Sequence, residues 1–149
     1  MATNSKREQI IEYVVGELEG IDGFTVTRQL PRYADLQQVA ATQFPLIAVA
    51  SGFPVPVEHK QSRAPGGADV FLSALRMDLF VFEQINEDCD TKLSELADDV
   101  WAKVWGDQTK GALVHSMSAE FGEVPTYLRP YISFRLTLTV VYKHTTGGI

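Results

Sequence analysis

The chain is 149 residues long, 45% hydrophobic and 21% charged, with a formal charge of −6 at pH 7. That length predicts one domain able to bury about 70% of the surface of its extended chain, so a full core is within reach. The composition excludes intrinsic disorder, no apolar run reaches the roughly 18 to 20 residues of a membrane helix, and the acidic balance argues against a protein that grips nucleic acid through clustered Lys and Arg.

The polar start, Ala2 to Gln9, lacks the apolar stretch of a secretory signal, and the single cysteine, Cys89, allows no internal disulfide. Both features predict a protein made and kept in a cytoplasm. Glu87, Asp88 and Asp90 oppose ionisation of the Cys89 thiol, which therefore reads as a small residue at a helix start and not as a nucleophile.

In chain order, Ser5-Lys6-Arg7-Glu8 has the form of a capping box. Ile10, Ile11, Val14, Val15 and Leu18 follow at helical spacing, which predicts a helix from about Ser5 to Glu19, with Gly16 weakening it or admitting a close neighbour. Phe24 to Leu30 reads as a short strand closed by Pro31. Asp35 to Thr42 reads as a short helix, and Phe44-Pro45-Leu46-Ile47-Ala48-Val49 as a buried strand opening on its proline. From Ser51 to Asp69 the periodicity disappears among prolines and glycines, with only Val55 and Val57 alternating. Part of the stretch could therefore extend as a hairpin arm; the whole reads as a long irregular loop, or as an arm that orders against another subunit.

Val70 to Glu83 predicts a long strand apolar on both faces, one of them interrupted by Arg76 and Asp78, so a second cover such as a subunit interface is expected over it. Asp88 to Trp105 is the most strongly patterned helix. Leu93, Leu96, Ala97, Val100 and Val104 form one stripe that Trp101 and Trp105 widen, and burying about seven such side chains at roughly 1.5 to 3 kcal/mol each suffices to dock it on a sheet. Gly111 to Glu120 offers a further strand through Leu113 and Val114, Phe121 to Arg129 a turn, and Pro130 opens a strand in which Ile132, Phe134, Leu136, Leu138, Val140 and Tyr142 alternate with Ser133, Arg135, Thr137, Thr139 and Lys143. The tail from Thr145 to Ile149 is expected to be loose. The predicted class is a single α+β domain, a mainly antiparallel β-sheet with two α-helices packed on one face.

Chemistry-bearing patterns are sparse. The sequence holds no phosphate loop, nucleophile elbow, His-Glu-x-x-His or Cys-x-x-Cys. His59, His115 and His144 lie far apart, and Glu87, Asp88 and Asp90 complement a helix dipole. No catalytic, cofactor or metal site is expected, although a small hydrolase or ligand-binding domain pairing Asp88, Asp90 or Asp99 with a histidine stands as an alternative.

The order and rhythm of the chain resemble the tail terminator proteins of long-tailed bacteriophages and the related tail-completion and neck proteins. The similarity lies in the helix around Ile10 to Leu18, the Phe44 to Val49 strand, the loop before the strand Phe71 to Phe82, the Asp88-Cys89-Asp90-Thr91-Lys92-Leu93 helix entry, the Asp107-Gln108-Thr109-Lys110-Gly111-Ala112 turn and the final alternating strand. The resemblance implies a virion subunit, assembled in the host cytoplasm, that forms a hexameric ring on the tail tube protein, stops tube growth and meets the neck or connector protein. DNA would pass through its lumen without specific binding, and no membrane or cofactor is involved. A neck or head-completion role remains open beside it. A closed ring needs two different patches per subunit. Phe53, Val55, Val57, Glu58, His59, Lys60, Arg63, Arg76 and Asp78 are the expected partner contacts, and Ser133, Arg135, Thr137 and Thr139 the face toward the lumen or a stacked ring.

Overall fold

The computed structural model describes residues 5–60, 70–84, 89–111, 113–122 and 131–145. Ser5 is extended and its hydroxyl accepts from the Glu8 N–H at 3.2 Å, so helix α1 (Lys6–Glu19) begins one residue later. Only that half of the expected capping box forms. The Glu8 carboxylate pairs instead with the Arg28 guanidinium, which holds its pKa below the ordinary value. Ile10, Ile11, Val14 and Leu18 are fully buried, as their spacing predicts.

Among the described residues six strands and two further α-helices follow, with a 3-10 turn at Ala41–Gln43: β1 (Thr25–Thr27), α2 (Tyr33–Gln38), β2 (Leu46–Ser51), β3 (Val55–Lys60), β4 (Val70–Gln84), α3 (Cys89–Trp105), β5 (Ser116–Gly122) and β6 (Tyr131–Thr145). The sheet runs β1-β2-β4-β6-β5 and is antiparallel apart from the β1–β2 pair. Strand β4 spans it whole. Along one flank β2 pairs with its second half, Leu46 opposite Phe82 through Ser51 opposite Met77, and β3 pairs with its first half, Val55 opposite Ala74 through Lys60 opposite Val70. On the other flank β6 pairs with all of it.

The period-two alternation divides the sheet into two faces. Ile47, Val49, Leu75, Met77, Leu79, Val81, Leu136, Leu138, Val140 and Tyr142 point to the face that α1 and α3 cover, where Leu96, Val100 and Val104 of α3 complete the main core. The second face carries a smaller cluster of Leu46, Ala48, Phe80, Phe82, Phe44 and Tyr131, closed by Leu36 of α2. The Tyr131 hydroxyl donates to the Leu36 carbonyl at 3.3 Å and fastens that helix down. The architecture is therefore the α+β sheet the pattern predicts, with two long helices on one face and a short third helix on the other.

Four expectations are corrected. The second cover over β4 is supplied at Phe80 and Phe82 by the chain's own α2 and not by another subunit, because Leu36 and Phe44 already fill that space. Residues 55–60 are not irregular loop but the extended arm that the alternation of Val55 and Val57 allows: they ladder onto β4, with a register shift between Pro56 and Glu58. Strand β5 starts at Ser116 and takes in Phe121 and Gly122, since Lys110 and Gly111 both adopt left-handed backbone and keep 110–111 out of extended structure. Strand β6 runs through Thr145, so the tail is paired one residue further than expected. Residues 123–130, most of the expected turn, and Thr146 to Ile149 lie outside the described residues.

Gly16 admits no close neighbour. A β-carbon there would meet nothing within 4 Å, and the residue faces solvent in mid-helix. Gly16→Ala should therefore stabilise the fold by about 0.5 to 1 kcal/mol, read as a raised urea midpoint at unchanged slope.

Candidate interaction surfaces

The acidic start of α3 does not build a site. Asp90, Asp98 and Asp99 are exposed, whereas Glu87 and Asp88 and the side chain of Cys89 lie outside the described residues. His115 sits in a shallow groove whose described lining is Lys6, Thr109, Leu113, Val114 and Lys143, with no carboxylate among them; the side chains of His59 and His144 are not described. Among the described residues no group of three or more His, Cys, Asp or Glu side chains is placed to hold a metal ion, and no helix is long and apolar enough to cross a membrane.

A densely bonded polar structure lies where α3 ends. Trp105 closes the helix, Gly106 follows, and Asp107 becomes a hub: its carboxylate accepts from the Tyr13 hydroxyl of α1 at 2.5 Å, from the Thr109 N–H at 3.2 Å and hydroxyl at 3.0 Å, and from the Gly111 N–H at 3.1 Å. These donors, Tyr13 foremost, hold its pKa down to about 2 from 3.8, while the same bond pushes the Tyr13 hydroxyl up. A carboxylate lowered on folding supports the fold fully above its unfolded value and loses that support as pH falls toward the folded one. Wild-type stability should therefore decline between about pH 4 and pH 2. Asp107→Asn should be less stable at neutral pH and decline less over that window, as followed by urea unfolding at a series of pH values.

Inside this loop Lys110 is fully buried, an arrangement rare for lysine. Its ammonium donates to the Val104 carbonyl, one of the carbonyls that α3 leaves open at its C-terminus, and pairs with Glu17 of α1 at 2.8 Å. Burial pushes the Glu17 carboxyl up, against the lowering influence of Lys110. Gly111 is required beside it: its φ is +66°, and a β-carbon would stand 2.9 Å from the Tyr13 ring. The sequence reading passed over Lys110. The signal it held is an Asp-x-Thr-Lys-Gly run immediately after a helix-stopping glycine, where a left-handed turn folds a long side chain back under the helix end.

On the second face, Arg76 and Asp78 do form the ion pair their spacing suggests, at 3.3 Å, and the Thr137 hydroxyl across the ladder donates to the same Asp78 carboxylate at 2.7 Å. Arg76 remains exposed. Ser133 and Thr137, expected to face a lumen or stacked ring, are each only 5% exposed and are packed within the chain. Arg135 and Thr139 are part-buried, the Arg135 guanidinium lying against Gly122. That face therefore offers a partner Arg76 and parts of Arg135 and Thr139, not the whole row.

The expected arm divides as well. Arg63 lies outside the described residues, and Glu58, His59 and Lys60 are placed in β3 by their backbone alone. Phe53, Val55 and Val57 are fully described and exposed, at 81%, 63% and 59%. Phe53 is held in that position. Arg7 of α1 donates to the Gly52 carbonyl at 3.0 Å and to the Ser51 hydroxyl at 3.1 Å, and its guanidinium lies 5.0 Å from the centre of the Phe53 ring.

At the opposite margin of the sheet, Trp105 and Trp101 stack one helical turn apart at 5.0 Å, Trp101 continues onto Phe121 of β5 at 5.6 Å, and Phe121 reaches Phe134 at 6.0 Å. Trp101 packs against the main core as expected, Trp105 is half-buried and stacks on Trp101, and the row runs on to a half-exposed phenylalanine. No protein-family model and no curated protein matches this chain.

Proposed function

We propose that the chain is a structural subunit of a long-tailed phage tail, of the terminator type: a protein that closes into a ring on the end of the tail tube, halts its polymerisation and presents the opposite face to the neck. The observation that carries this reading is the apolar row Phe53, Val55 and Val57, exposed at 81%, 63% and 59% and braced by Arg7. An exposed phenylalanine held beside two exposed valines is apolar surface of the kind that marks a protein contact. The distribution of polar groups agrees, because the densely bonded charges Asp107, Lys110 and Glu17 are spent on joining α1 to the end of α3. The resemblance in element order supplies the particular assembly, a homo-hexamer through which DNA passes in the virion.

The test is electron microscopy and native mass spectrometry of the purified chain, alone and mixed with isolated tail tubes. The expected result is annular particles near six times the 16.5 kDa subunit mass, or caps on tube ends that prevent further growth. A chain that forms no closed particle and leaves tube growth unaltered overturns the reading.

A further inference from the structure

Among the described residues five large hydrophobic side chains are exposed: Leu30, Phe53, Val55, Val57 and Phe121. Four of these five lie at two opposite margins of the sheet. Phe53, Val55 and Val57 are on or just before β3, which among the described residues pairs only with β4, and Phe121 is on β5, which among them pairs only with β6.

We propose that these margins meet each other between copies of this chain: the Phe53, Val55 and Val57 knob of one subunit seats on the Phe121, Trp101 and Trp105 shelf of the next, head to tail. The proposal rests on the ring-subunit reading and adds to it which two surfaces join. Three features carry it. The knob is preorganised, since Arg7 fixes the Phe53 ring and the Gly52 carbonyl before any partner arrives, which lowers the entropy lost on docking. The charges around the two surfaces differ: the Arg7 guanidinium lies over the knob, its contact with Glu8 a long 3.9 Å, and the exposed Arg76 beside it is paired with Asp78, whereas the exposed Asp98, one turn from Trp101, and Glu120, next to Phe121, flank the shelf. Finally, the two surfaces stand at opposite margins, so docking one leaves the other of each subunit free for a further copy, and such contacts propagate until they close. The contact is made by side chains and not by a shared strand ladder, because Pro56 and the register shift after it blunt the β3 edge against strand addition.

The test uses full-length chain by native mass spectrometry and light scattering across concentration. The variants are Phe53→Asp on the knob and, on the shelf, Phe121→Asp and separately Asp98→Lys, whose side chain is exposed. Each should keep the wild-type far-ultraviolet circular dichroism. Phe53→Asp and Phe121→Asp should each raise the concentration needed for assembly by about thirtyfold or more, the weight of a central contact residue. Mixed in equal amounts, these two should give a discrete dimer holding one copy of each, because one intact knob and one intact shelf remain in the mixture. If Phe121→Asp alone dimerises, or if all three variants assemble as wild type does, the pairing of these margins is wrong while the ring reading survives. A wild-type chain that is monomeric at every concentration overturns self-association, and the pairing with it.

Discussion

Lys110→Ala should cost the fold about 3 to 5 kcal/mol, the range for stripping one partner from a buried ion pair. The loss has two parts. The α3 carbonyl at Val104 loses a charged donor, and the part-buried Glu17 carboxylate is left without its cation. The second part depends on pH. Glu17 already titrates above its ordinary value of 4.5 through burial, and without Lys110 it should titrate higher still. A carboxyl raised on folding opposes the folded state only where the unfolded chain is ionised, so the gap between wild type and variant should be smallest at low pH and widen once pH passes the raised value that Glu17 has in the wild type. Urea unfolding of both proteins across that range gives the gap directly; a gap independent of pH would mean that Glu17 contributes nothing to it. The double variant Glu17→Leu with Lys110→Met should recover much of the loss, since a buried pair replaced by apolar side chains of similar size is often neutral or better.

Leu36→Ala should cost about 2 to 5 kcal/mol, the usual range for truncating a fully buried leucine. Leu36 is the side chain by which α2 closes the second face, against Phe44, Leu46, Ala48, Phe80, Phe82 and Tyr131. Its helix has six residues, too few to persist without that anchor, although Asp35 braces the start by accepting from the Arg32 N–H at 2.9 Å and pairing with its guanidinium at 3.3 Å. Truncation should therefore release α2 as well as leave a cavity. Increased binding of a hydrophobic dye, together with a lowered unfolding midpoint, would report that release. A midpoint within about 1 kcal/mol of wild type would show that α2 is not needed to cover Phe80 and Phe82, and would restore the case for an external cover there.

What could be read from the sequence was what a regular period imposes. The α1 and α3 stripes, the alternation of β6 and the two apolar faces of β4 were legible because each rests on side chains repeating at 3.6 or 2.0 residues, and that period also fixes which face they bury. Strand β3 was legible only in part, through the alternation of Val55 and Val57 that suggests a hairpin arm. Pro56 and the extra residue before Glu58 break its alternation, and the ladder to β4 that makes it a strand is a tertiary fact. The start of α2 came two residues earlier than expected, where Arg32 and Asp35 form a cap of a kind that a search for Ser, Thr, Asp or Asn overlooks. Of the candidate contact residues, Phe53, Val55, Val57 and Arg76 emerge exposed, and Ser133 and Thr137 emerge buried. The alternation placed those last two on the correct face but could not tell that the chain itself packs over them.

Strand β4 has one continuous partner and one divided partner, and this difference sets two tiers of protection from amide hydrogen exchange along a single strand. Successive residues of a strand with antiparallel neighbours on both sides direct their N–H groups alternately to the two flanks. From Met77 to Phe82 those flanks are β2 and β6, each joined to the main core, so every amide there should exchange only through global unfolding. From Val70 to Ala74 one flank is β3, whose Val55 and Val57 bury little against this domain and whose local opening need not disturb β6. Exchange rates along the free subunit's β4 should accordingly alternate fast and slow in its first half and become uniformly slow in its second.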